Sequence, residues 1–206
     1  MSDELRHANQ NMPEPRDAEI IARCLRGDQQ GYALLYSRYA DGLYRLAASL
    51  VPTVEDAEDV VQESFVYAFR NLARYDAERS AFKSWLYMIA VSRCRNVYRR
   101  KQFTLVDPSA LLHLNIPAPD SETPEAMLAQ RSARDSIQKA LQSLSPALRE
   151  ALVLRYGHGL TYREMADVLG CPQKTAESRV RLAHNRLRNV MQGQGRALLE
   201  ELVQLG

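Results

Sequence analysis

Cysteine is scarce. Three thiols in 206 residues, Cys24, Cys94 and Cys171, stand far apart, form no C-x-x-C pair and have no histidine at metal-ligand spacing. That argues against a structural zinc, and the odd, sparse count fits a reducing compartment better than a disulfide framework. Long apolar runs are missing too. Nothing approaches the roughly 20 apolar residues of a membrane helix, and the polar N-terminus lacks the apolar core of a signal peptide. No stretch sustains the apolar–polar alternation of a strand, and no segment repeats. These absences point to an all-α cytoplasmic protein with no membrane insertion.

Charge of one sign is also lacking overall, because the net value is only +2. Its distribution is uneven. From Arg70 to Lys101 nine Lys and Arg face Asp76 and Glu78, an excess of seven. From Arg131 to Val190 eleven face five acids, an excess of six. Residues 102–130 carry four acids and no Lys or Arg. Two basic blocks flanking an acidic connector predict two separate contacts with one polyanion.

The chain organises around its prolines and glycines. Residues 1–16, with Pro13 and Pro15, read as a disordered leader. Helices are predicted at about 18–26, 30–51, 54–72 and 81–101. In the second, Tyr32, Leu35, Tyr36, Tyr39, Leu43, Leu46 and Leu50 form the expected apolar face. A flexible, aperiodic linker with Pro108, Pro117 and Pro119 spans 102–122. Thr123 and Pro124 are placed to start a second domain over 123–191, where Ser145 and Pro146 repeat the device. A tail at 192–206 carries the stripe Leu198, Leu199, Leu202 and Leu205. The fold class is therefore two small helical domains, 17–101 and 123–191, joined by an acidic linker.

The most informative stretch is 160–188. Thr161 and Glu164 have capping-box spacing, with Leu160 and Met165 positioned as a hydrophobic staple. Gly170 is placed to stop that helix in a left-handed conformation, and Pro172 suits the first turn of the next. There Ala176, Val180, Ala183 and Leu187 form a buried stripe, while Lys174, Thr175, Ser178 and Arg181 face outward. This is the pattern of a DNA-binding helix-turn-helix, in which polar and basic side chains reach phosphates and base edges. A helical hairpin with a solvated basic face is the plainer alternative.

Two further constellations stand in the first domain. Asp56, Asp59, Gln62 and Glu63 share one side of a helix whose other side carries Ala57, Val60, Val61 and Ser64. Without an accompanying histidine, these carboxylates suit a docking surface for a basic partner better than metal binding or acid–base catalysis. Beyond them, 75–101 combines aromatic residues with repeated cations, which is what unstacked bases and a phosphate backbone require. Trp85, Leu86 and Ile89 fit the core, whereas Tyr75, Lys83 and the basic end from Arg93 to Lys101 fit the surface.

The order of acidic helix, aromatic–basic helix, acidic connector and C-terminal helix-turn-helix resembles the extracytoplasmic-function (ECF) sigma factors of bacterial RNA polymerase. The matching segments are 56–65, 82–100, 144–150 and 159–188, and with the first two helices they span nearly everything from Asp17 to Met191. The resemblance implies a protein without catalytic residues, metal or cofactor. Asp56, Asp59, Gln62 and Glu63 would bind the clamp helices of the largest polymerase subunit. Tyr75, Phe82, Lys83, Ser92, Arg95, Arg99 and Arg100 would hold the melted minus-ten element. Lys174, Thr175, Glu177, Ser178, Arg179 and Arg181 would read the duplex minus-thirty-five element. The second domain would also touch the polymerase flap, the connector would run toward the RNA exit path, and an anti-sigma protein would regulate the whole.

Three positions depart from the family's usual pattern. Glu177 and Leu182 stand where cations are frequent on the recognition helix, and Ser92 stands where asparagine is common. Promoter sequence therefore cannot be carried over, and Arg179 has the option of turning toward its own domain. A stand-alone helix-turn-helix regulator is the principal rival; it would normally need a dimer to read two half-sites. A metal-dependent nuclease using the Asp56–Glu63 carboxylates is the other.

Overall fold

A computed structural model describes residues 15–101 and 144–191. The leader up to residue 14, the 102–122 linker, the Thr123–Pro124 helix start and the leucine stripe of the tail lie outside the described residues. Every regular element among the described residues is helical: α1 (Asp17–Leu25), α2 (Gln29–Leu50), α3 (Val54–Arg70), α4 (Phe82–Lys101), α5 (Pro146–Leu152), α6 (Tyr162–Leu169) and α7 (Gln173–Met191). A 3-10 turn at Leu72–Arg74 follows α3, and a π-helical turn at Val153–Gly157 follows α5.

The chain divides into two compact units between Arg38 and Tyr39, within the continuous helix α2. In the first, α1 buries Ile20, Ile21 and Cys24. Gly31 permits close approach of α2, since a Cβ there would stand 3.0 Å from the Cys24 sulfur. Tyr32 donates to the Cys24 carbonyl at 3.0 Å, and Arg38 pairs with Asp17 at 2.7 Å. One expectation for α2 fails. Tyr36 is 48% exposed, whereas Leu35, Leu43, Leu46 and Leu50 are buried. The buried line passes through Leu35 and Leu43, and Tyr36 sits about a third of a turn away from it.

In the second unit, α4 packs against α3 and α6, and α7 packs against α5 and α6. Thr53 caps α3 by accepting from the Asp56 amide at 3.1 Å. Ala57, Val60, Val61 and Ser64 are buried along α3, as their spacing predicts. A Cβ on Gly42 would come within 2.8 Å of the Tyr87 hydroxyl, so the absent side chain is what lets α2 sit against Tyr87 of α4.

The helix-turn-helix forms as its local signals dictate. Thr161 and Glu164 make both halves of a capping box, with Glu164 accepting from the Thr161 amide at 2.8 Å and Thr161 from the Glu164 amide at 3.3 Å. Leu160 and Met165 are both buried. Gly170 adopts φ 64°, ψ 43°, and the Cys171 amide then reaches back to the Ala166 carbonyl at 3.1 Å. The α7 stripe of Ala176, Val180, Ala183 and Leu187 is buried throughout. Full burial of a Val or Leu contributes roughly 1.5–3 kcal/mol, so Val180 and Leu187 alone hold α7 firmly on its neighbours.

Candidate polymerase and nucleic-acid interfaces

The acidic ridge of α3 stands on a rigid support. Asp59, Gln62 and Glu63 are exposed, and Asp56 is half-buried. Asp56 also serves its own helix by accepting from the Thr53 hydroxyl at 2.7 Å. Glu63 is paired with Arg93 of α4 at 2.7 Å, while remaining 60% exposed. Arg93 lies over the Tyr67 ring, 5.4 Å from its centroid. No group of His, Cys, Asp and Glu among the described residues has an arrangement that could hold a metal ion.

The start of α4 carries an aromatic cluster. Tyr75 meets Phe82 edge-on at 5.5 Å and Trp85 at 5.3 Å, and Phe82 meets Tyr39 at 5.3 Å. Phe82 is the buried centre, at 1% exposure, and supports the half-exposed Tyr75 and Trp85 instead of presenting its own ring. Trp85 is thus less buried than a core position, while Leu86 and Ile89 are buried as predicted. The Tyr75 hydroxyl donates to the Ser80 carbonyl at 2.9 Å, which fixes the loop leading into α4.

Of the remaining α4 candidates, Lys83 and Arg95 meet residues of the C-terminal part of the chain. Lys83 donates to the His158 carbonyl at 3.2 Å. Arg95 places two nitrogens on the two Glu150 oxygens, at 2.9 and 2.6 Å. Ser92, Arg99 and Arg100 are exposed. Arg99 donates to Asn96, and Arg149 donates to the Tyr98 hydroxyl and lies over its ring. Tyr87 and His158 share a 3.2 Å hydrogen bond in an edge-on ring contact. Burial, reinforced by Lys83 and Arg45, lowers the His158 pKa to about 4, so the imidazole is neutral here. Burial pushes the Tyr87 phenol up to about 12.

On α7, Lys174, Glu177 and Arg181 are exposed and Thr175 and Ser178 are half-exposed, so these five predicted residues share an open face. Leu182, 49% exposed, lies beside them. Arg179 departs from the set. Its guanidinium turns inward to the Cys171 sulfur at 3.8 Å and borders a cavity shared with Ser92, Arg95 and Arg99. Sequence reasoning gave no part to Tyr87, Glu150 or His158. Nothing local to Glu150 advertises its partner, which lies 55 residues away.

Residues 35–104 match the family described as Sigma-70 region 2, and residues 134–187 match Sigma-70, region 4. The ECF RNA polymerase sigma-E factor of Salmonella typhimurium is 33% identical over 182 residues, covering 85% of this chain and 94% of that protein. The chain belongs to the ECF sigma factors. The RNA polymerase sigma-H factor of Pseudomonas aeruginosa is 30% identical over 187 residues, covering 88% of this chain and 96% of its own. Among solved structures, CnrH in complex with the cytosolic domain of CnrY aligns with a TM-score of 0.66 at 26% identity, covering 87% of this sigma factor and 99% of that chain. The sigma factor RpoE in complex with the anti-sigma factor NepR from Bartonella quintana gives 0.59 at 26% identity, over 79% and 98%. As a sigma factor, the protein works with core RNA polymerase in promoter-directed transcription initiation.

Proposed function

We propose that this ECF sigma factor divides its work among three surfaces, within domains spanning 17–101 and 123–191. The α3 ridge of Asp56, Asp59, Gln62 and Glu63 docks on the clamp helices of the largest polymerase subunit. Tyr75, Lys83, Ser92, Arg95, Arg99 and Arg100 hold the melted minus-ten strand, with Phe82 acting from beneath as a support. Lys174, Thr175, Glu177, Ser178 and Arg181 face the minus-thirty-five duplex, and Arg179 joins them once it leaves the Cys171 sulfur. The second domain also meets the flap. No side chain performs catalysis, no metal or cofactor takes part, and the protein acts in the cytoplasm. No helix among the described residues is long and apolar enough to cross a membrane.

One observation carries this division: the polar residues of α3 and α7 project from helices whose opposite faces are fully buried. Such faces present charge from a backbone already in register, so binding has to order side chains and not the helix itself. Lys83 and Arg95 are engaged by His158 and Glu150, so melted DNA reaches them only after the helix-turn-helix region leaves α4. An anti-sigma protein that holds the two together would keep the factor silent; the CnrH and RpoE structures above are of complexes with CnrY and NepR.

The test is run-off transcription by core polymerase reconstituted with this chain on a library of promoter fragments. Lys174→Ala and Arg181→Ala should lower transcription from fragments with a minus-thirty-five element, and Arg163→Ala on α6 should not. Equal loss in all three variants would remove the α7 face from promoter reading.

A further inference from the structure

Four arginines drawn from three helices border one cavity of about 580 Å³: Arg95 and Arg99 from α4, Arg149 from α5 and Arg179 from α7. Glu150 is the single carboxylate among its described lining residues, and both of its oxygens are taken by Arg95. Among the described residues Glu150 pairs with Arg95, and neither Arg99 nor Arg179 meets a carboxylate. Arg149 is 7% exposed and Glu150 5%, so part of this charge sits away from bulk water, where screening is weak. Arg179 meets a thiol sulfur at 3.8 Å, and sulfur is a poor acceptor for a guanidinium.

We propose that this cavity binds a compact phosphate-chain anion, with tripolyphosphate as the minimal ligand. The volume falls within the roughly 300–1,000 Å³ of small-molecule sites. Guanidinium forks match phosphate oxygens in pairs, and a chain of linked phosphates offers enough oxygens for several forks at once. The Tyr98 hydroxyl adds a neutral polar group on the same wall. Because α4 supplies one side and α5 and α7 the other, a bound anion ties the helix-turn-helix region to α4. It also occupies Arg95, Arg99 and Arg179, so it competes with promoter phosphates. That competition rests on the promoter-binding reading above; the binding itself does not.

Isothermal titration of the full chain with sodium tripolyphosphate, at matched ionic strength, tests the site. One saturable equivalent is expected. The double variant Arg99→Gln, Arg179→Gln should raise the dissociation constant roughly tenfold or more, the worth of a single charge-assisted hydrogen bond. Arg163→Gln, Arg186→Gln, which removes two exposed arginines elsewhere, should leave it unchanged. Both doubles are checked for an unaltered thermal midpoint. ATP serves as a second arm: affinity equal to tripolyphosphate assigns recognition to the phosphate chain, and tighter binding assigns a share to the nucleoside. No saturable binding to the wild type, or equal weakening in both double variants, would overturn the proposal. Polymerase capture in buffer free of phosphate and polyphosphate tests the sigma reading separately, so intact capture without tripolyphosphate binding removes only the cavity.

Discussion

Arg95 of α4 and Glu150 of α5 form a two-pronged ion pair at 2.9 and 2.6 Å, across 55 residues of sequence. Glu150 is 5% exposed, so its charge is accommodated mainly by this one partner. The partner is also one of the residues proposed to hold the minus-ten strand. On that proposal, the carboxylate would compete with a DNA phosphate for the guanidinium.

Glu150→Gln should weaken that pair while keeping the shape of the side chain. The isolated protein is expected to lose a few degrees of thermal stability and to bind a single-stranded minus-ten oligonucleotide several-fold more tightly. Fluorescence anisotropy measures the second effect. Unchanged or weaker binding would show that Glu150 does not restrain Arg95.

His158 sets a pH dependence on a second contact of α4, with Tyr87. Its pKa is about 4 when docked against Tyr87, below the ordinary 6.5. A proton is therefore bound more readily when the contact is open. The stabilisation is complete above about pH 6.5 and is lost as pH falls toward 4. His184 is also lowered by burial, so a variant is needed to separate the two. Thermal midpoints from about pH 7.5 to 5 should decline in the wild type, and His158→Gln should flatten part of that decline.

The turn of the helix-turn-helix depends on local geometry. Thr161→Ala removes the hydroxyl half of the capping box and should cost about 1 kcal/mol. Gly170→Ala places a side chain at φ 64° and should cost about 1–2 kcal/mol. Chemical denaturation of the full chain measures both, and the Gly170 effect should be the larger.

Much of this was legible in advance, and the reason is locality. The capping box, the Gly170 stop and the α7 stripe are set by residues within a few positions of one another. So is the division of α3 into a buried side of Val60 and Val61 and an exposed side of Asp59 and Glu63. What the sequence leaves open depends on side-chain packing beyond the local turn. Resemblance alone places Phe82 at the minus-ten strand, but Tyr39, Tyr75 and Trp85 enclose it. For Arg179 the sequence leaves open both the DNA face and its own domain, and packing selects the second, at Cys171. Tyr36 fits an apolar list by composition and misses the buried line by its angle on α2.

On the proposed promoter reading, Glu177 is the α7 residue whose charge would weigh most on promoter choice. An exposed carboxylate there repels phosphate and can accept from a cytosine amino group. Glu177→Lys should raise affinity for duplex DNA of any sequence. It should also steepen the salt dependence, by a slope of about 0.9 for each additional phosphate neutralised. Selectivity between minus-thirty-five sequences should fall. Binding titrations at several salt concentrations would reveal both changes.

The most direct measurement is capture of core RNA polymerase by the full chain, comparing wild type with the Asp59→Ala, Glu63→Ala double variant. Stoichiometric capture by the wild type, weakened at least several-fold in the variant with its thermal midpoint retained, is the predicted result. Equal capture by both proteins would contradict the placement of the polymerase contact on α3.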